Sequence, residues 1–164
     1  PQIPSPQRAK GFHPMPQSLA QIYTHLIYST KNRAPALDSS LHESLRAYLG
    51  GILRTFDSPS LAIGCVADHV HLLYSQSRKI ALIQVVEEIK KSSSKWLKSQ
   101  RSELRRFYWQ AGYGAFSVSA SKLEAVRRYV LNQESHHRKM TFQEEFRRFL
   151  EEYGVAYDER YVWD

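Results

Sequence analysis

The chain has 164 residues, enough for a single domain with a real core, and its 42% hydrophobic and 24% charged content is ordinary for a soluble globular protein. No apolar run approaches the length of a bilayer span and no secretory signal is visible, so a cytoplasmic protein is expected. The single cysteine, Cys65, excludes an internal disulfide and lies in an apolar run, as a core residue does. The formal net charge of +7 suits an anionic partner, although charge alone says nothing about fold.

The distribution of that charge is more informative. Between positions 90 and 106 stand Lys90, Lys91, Lys95, Lys98, Arg101, Arg105 and Arg106 against the single acid Glu103, while the stretch from Thr141 onward is acidic. Such asymmetry points to a localised basic surface.

Residues 1–16 hold five prolines and little apolar periodicity. They are expected to form an arm or leader without a fold of its own, with Met15 a candidate native start; residues 17–164 form the single folded domain. Gln21 to Ser29 alternates, with Ile22, Thr24, Leu26 and Tyr28 on one side and Tyr23, His25 and Ile27 on the other, which predicts a first strand. His25 reads there as a sheet residue rather than a ligand. A basic loop follows at Lys31-Asn32-Arg33. From Asp38 to about Phe56 the apolar residues Leu41, Leu45, Tyr48, Ile52 and Phe56 keep helical spacing, with Gly50-Gly51 weakening the middle or ending the helix early.

After the turn at Ser58-Pro59-Ser60, Leu61 to Val66 predicts an apolar strand, and Asp68-His69-Val70-His71-Leu72-Leu73 a second one entered through a tight turn. A helix over about 80–96 then buries Leu82, Val85, Ile89 and Trp96 and groups Lys91, Lys95 and Lys98 on another face. The cluster Arg105-Arg106-Phe107-Tyr108-Trp109 adds aromatics that could stack on unpaired bases. Gly112 to Ser119 leads into a fourth strand. Ser121-Lys122-Leu123-Glu124 has the form of a capping box and predicts a helix to about His137 or Arg138. Thr141-Phe142-Gln143-Glu144 is another, opening a helix with Phe142, Phe146, Phe149 and Tyr153 inward, before an extended aromatic tail. The order of the first six elements matches an α+β, ferredoxin-like βαββαβ sheet with helices on one face, to which C-terminal helices are appended.

On a strand, side chains alternate faces, so His69 and His71 point the same way while Val70 and Leu72 anchor the other side. That is half of a metal site, or a pair of hydrogen-bonded sheet histidines. On the predicted helix after the fourth strand, Tyr129 and Gln133 are one turn apart and share a face. A phenol, with a pKa of about 10, needs help to act as a nucleophile, and a divalent cation beside the phosphate supplies it. Gln133 offers a side-chain carbonyl as a third ligand beside the two imidazoles. Spacing alone does not separate Tyr129 from Tyr108, Tyr113 or Tyr153, nor remove His136 and His137 as rival ligands or helix-end residues.

Taken together, these motifs resemble the small single-strand DNA transposases of bacterial insertion sequences, the IS200-like HUH class with one catalytic tyrosine. The likeness runs from Gln17 to Asp164 and rests on residues 21–33, the Asp68 to Leu73 strand, Gly112 to Ser117, Tyr129-Val130-Leu131-Asn132-Gln133, His136-His137 and the ending from Tyr157. The Pro-rich first sixteen residues depart from the compact start of that family. The resemblance implies that Tyr129 is the nucleophile, forming a 5′-phosphotyrosine link, and that His69, His71 and Gln133 hold a divalent metal ion, Mg²⁺ or Mn²⁺. It also implies a homodimer acting on single-stranded DNA with hairpins at the ends of an element. The basic residues Lys91, Lys95, Lys98, Arg105 and Arg106 are the candidate DNA contacts. No nucleotide-binding Gly-rich loop is present, so no nucleotide cofactor is expected. A domesticated or replication-type HUH nickase would share this pattern. A non-enzymatic ferredoxin-like module binding single-stranded nucleic acid would leave Tyr129, Gln133 and the histidines unexplained as a set.

Overall fold

The computed structural model describes residues 19–136 and 140–163, so the predicted N-terminal arm lies outside the described residues. Strands β1 (Tyr23–Ser29), β2 (Ser60–Cys65), β3 (His69–Ser75) and β4 (Gly114–Val118) form one antiparallel sheet in the order β2-β3-β1-β4. Helices α1 (Ser39–Thr55) and α2 (Leu82–Gln100) are the crossovers, which is the ferredoxin-like arrangement expected from the element order. Among the described residues no helix is long and apolar enough to cross a membrane.

Register decides what each face carries. Leu26, Tyr28, Ile63, Cys65, Val70, Leu72 and Tyr74 face α1 and α2 and build the main core with Leu45, Leu49, Leu53, Val85, Ile89 and Leu97. Cys65 is buried there, as anticipated. The inward stripe of α1 is Leu41, Leu45, Leu49 and Leu53; Tyr48 and Ile52, predicted inward, sit at its edge, where Tyr48 stacks on Trp96 at 4.9 Å between ring centres. Gly50 does not end the helix. It is buried against the start of β2, where a Cβ would lie 3.3 Å from Ser60 Oγ.

The opposite face carries both histidines. Directly paired residues share a face, so one row across the sheet reads Gly64, His71, Ile27, Gly114, and the next reads Ala62, Leu73, His25, Phe116. Three short helices cover it: α3 (Leu123–Leu131), α4 (Gln133–His136) and α5 (Phe142–Glu152). Val130 of α3 packs on Ala62, Leu73 and Val118, while Phe142, Phe146 and Leu150 of α5 pack on Ile27 and Phe116. The two glycines at the ends of the first row make this approach possible. A Cβ on Gly64 would lie 2.4 Å from the Val130 carbonyl oxygen, and one on Gly114 would lie 2.5 Å from Phe146 Cε2.

Three sequence expectations need correction. The helix predicted to run unbroken from Ser121 is interrupted at Asn132 (φ −98°, ψ 19°), whose N–H bonds back to the Arg128 and Tyr129 carbonyls. The predicted Ser121 capping box does not form. Residues Ala120–Lys122 take a 3-10 turn, Ser119 and Ser121 pair through their hydroxyls, and α3 starts without a side-chain cap. The second box is present, with Thr141 Oγ1 accepting from the Glu144 N–H at 3.3 Å and Glu144 accepting from the Thr141 N–H at 2.9 Å. Lastly, the tail is not extended. It turns after Asp158, held by the Arg147–Glu159 ion pair at 2.6 Å and by Trp163, whose ring lies 6.1 Å from Phe146.

Candidate active site

His69 and His71 are completely buried, with ring centres 5.1 Å apart. Each is oriented by a hydrogen bond at Nδ1: His69 to Asp68 Oδ1 at 2.6 Å, and His71 to His25 Nε2 at 3.0 Å. In the tautomer where both Nδ1 atoms donate, the two Nε2 lone pairs point to a common place. Glu145 of α5 occupies it, with Oε2 at 3.7 Å from His69 Nε2 and 3.4 Å from His71 Nε2. One ligand atom from each of His69, His71 and Glu145 lies within 4.8 Å of the others.

The other carboxylate oxygen faces α3 and α4. Glu145 Oε1 accepts from the Tyr129 hydroxyl and, at 3.3 Å, from Gln133 Nε2. Gln133 is only 1% exposed and its Oε1 has no hydrogen-bond partner among the described residues. An amide oxygen so placed costs free energy unless something else satisfies it. Burial pushes the Glu145 carboxyl up to about 7; His69 opposes the shift and Asp68 adds to it. Burial, with His71 beside it, holds His25 well below its ordinary 6.5.

The predicted residues thus divide into two groups. His69, His71, Tyr129 and Gln133 converge, and His25 is the sheet residue expected, supporting His71 from the next strand. Two rival tyrosines stand elsewhere: Tyr108 is 57% exposed beside Lys98 and Tyr113 packs against the α1–α2 core; Tyr153 lines the same cavity as Tyr129, but its hydroxyl donates to the Ser117 carbonyl at 3.1 Å. The side chain of His136 and all of His137 lie outside the described residues. The basic residues are not gathered at the histidines. Lys91, Lys95, Arg105 and Arg106 are exposed and Lys98 lies 3.9 Å over the Tyr108 ring, all on α2 and the turn after it, on the other side of the sheet. Lys90 of the same stretch turns inward instead. Its Nζ donates to the carbonyls of Gln110, Ala111 and Gly112 and pins the entry to β4.

Glu145 is the residue that sequence reasoning missed. Its signal was present: it falls three residues after Phe142 and four before Phe149, which puts a carboxylate on the apolar face of a strongly amphipathic helix.

With the sheet, the paired histidines and the helices over them described, comparison with known proteins gives the family. Residues 18–133 match the family described as IS200-like transposases, so the chain belongs to that family and is a DNA transposase. Several solved structures share its fold. A candidate transposase from Deinococcus radiodurans R1 is 22% identical with a TM-score of 0.57, the match covering 76% of this chain and 97% of that one. A REP-associated tyrosine transposase solved bound to a REP hairpin is 16% identical with a TM-score of 0.57, covering 92% of this chain and 93% of that one. No curated protein sequence matches significantly.

Proposed function

We propose that this transposase cuts and rejoins single-stranded DNA through Tyr129, with a divalent cation held at His69, His71, Glu145 and Gln133. The observation that carries the reading is the Tyr129 hydroxyl at a carboxylate that also faces both histidines. The donor set suits the cation. Two oriented imidazoles, a carboxylate and an amide oxygen without a partner among the described residues form a mixed N/O site, which suits Mn²⁺ better than the harder Mg²⁺. Such an ion, when bound, polarises the scissile phosphate and neutralises charge on its oxygens.

The chain's own residues do the rest. Glu145 holds the phenolic O–H and is placed to take its proton as the tyrosine oxygen attacks phosphorus. The P–O3′ bond breaks, the 3′ oxygen leaves with the electron pair and is protonated, and the 5′-phosphate stays on Tyr129. Attack by a 3′-hydroxyl on that link reverses the sequence and joins strands without a nucleotide cofactor. Asp68 and His25 fix the imidazole orientations, and Gln133 fixes the carboxylate. The exposed cations Lys91, Lys95, Arg105 and Arg106, with the half-buried Lys98, would hold the duplex stem of a hairpin on the far side of the sheet, leaving the unpaired flank to reach Tyr129. A homodimer fits transfer between two ends, since each end needs its own tyrosine.

The test is incubation of labelled single-stranded and duplex DNA, carrying the palindromes that flank the gene, with Mn²⁺, Mg²⁺ or EDTA. The expected result is a metal-dependent covalent adduct on single strands that is lost in Tyr129→Phe. An adduct that persists in that variant moves the nucleophile to another tyrosine. Tight binding with no adduct favours a binding module.

A further inference from the structure

Beside Tyr129, between α3 and α5, opens a cavity of about 400 Å³ that Glu145 also lines and that extends past the reacting groups. Tyr129 forms one wall, and His25 and Phe149 form the inner end. The Phe149 ring meets His25 edge-to-face at 5.2 Å and Tyr129 at 5.8 Å. Tyr153 closes one side, fixed by its hydroxyl bond to the Ser117 carbonyl and by Phe116 at 4.7 Å. At the rim stand Lys122 and Arg148, both exposed and neither in an ion pair among the described residues, together with the carboxylate of Glu152. Aromatic walls, unpaired cations and a nucleophile in one wall are the parts of a nucleotide site.

We propose that this cavity receives the unpaired base next to the scissile phosphate, stacked against Phe149 and Tyr153, with a neighbouring phosphate on Arg148 and Lys122. The proposal rests on the assignment of Tyr129 as nucleophile. A base held in its duplex stack cannot turn into a side cavity of this kind, so a nucleotide must leave its stack before the phosphate reaches Tyr129. Selection of single strands then follows from the shape of the site. Glu152 gives the rim an acceptor for an exocyclic amino group, which thymine lacks.

The experiment uses the full chain with Mn²⁺ and an oligonucleotide whose cleavage position has been mapped from the covalent adduct. Abasic residues are placed one at a time across the junction, and the single-turnover rate of adduct formation is measured. Stacking of one base is worth roughly 1–3 kcal/mol, so one flanking position should slow the reaction about 10- to 100-fold and the others less than about threefold. In Tyr153→Ala that penalty should shrink to about threefold or less, because the base has lost its partner. No sensitive position, or a penalty unchanged in Tyr153→Ala, overturns the proposal while leaving the nucleophile in place. An adduct that survives Tyr129→Phe takes down the nucleophile assignment and this proposal with it. Should Tyr153→Ala not fold, the exposed Arg148→Glu serves, in a Tyr129→Phe background that binds without cutting. Its Kd for the same strand should rise about tenfold and its log-log salt slope should flatten by about 0.7. An unchanged Kd and slope overturn the phosphate contact and the proposal.

Discussion

Replacing Glu145 by Gln should separate stability from function in this enzyme. The carboxyl is 2% exposed and titrates at about 7 against an ordinary 4.5, so the metal-free folded state holds a proton that the unfolded chain has already released between those values. Unfolding therefore becomes easier as pH rises from 4.5 to 7, and the full penalty, about 3 kcal/mol for roughly 2.5 units, applies above pH 7. Gln keeps the shape and, through its carbonyl, the hydrogen bond from Tyr129, but carries no charge to desolvate. In EDTA at pH 8 the variant should be more stable than the wild type by about 3 kcal/mol, or on the order of 6–12 °C in Tm for a chain of this size. At pH 4.5 the difference should vanish. Urea titrations at both pH values read this directly, and Mn²⁺ titration of the same samples should show affinity lost in the variant. Equal stability differences at the two pH values, or a variant less stable at pH 8, would refute the view that a desolvated carboxylate waits there for a cation.

Four further outcomes follow from the same geometry. Gln133→Leu removes the unpartnered amide oxygen, so the metal-free protein should lose little stability while Mn²⁺ affinity, measured by calorimetry, falls about 10- to 100-fold. Gly64→Ala pushes a methyl group against the Val130 carbonyl, which should cost about 1–3 kcal/mol in a thermal melt and reduce adduct formation by shifting Tyr129 and Gln133. His25 resists protonation in the folded state while the unfolded chain takes a proton at 6.5, so it removes stability as pH falls below 6.5, the opposite sign to Glu145. His25→Phe should flatten that acid limb in urea titrations between pH 5 and 7. Lys90→Met withdraws three hydrogen bonds from the 110–112 carbonyls and should accelerate hydrogen exchange there without changing it in α1.

Most of the architecture lies in local pattern. Alternation over Tyr23–Ser29, and a short run between a turn and a polar stretch at His69–Ser75, mark two strands, and on the second His69 and His71 share a face because side chains repeat every two residues. Spacing of four places Tyr129 and Gln133 on one side, and this holds even though the helix breaks at Asn132 between them. Which tyrosine lies at the histidines is not local. It depends on α3 crossing β2 where Gly64 has no side chain, a contact between positions more than sixty residues apart in the chain. Glu145 depends on more still: its helix must dock over Gly114 and turn its apolar face, carboxylate included, onto the row that carries His71. The basic stretch shows the same limit from the other side, since composition gathers those residues while the sheet separates them from the site. Periodicity along the chain determines which side chains share a face; only close packing between faces decides which of them meet.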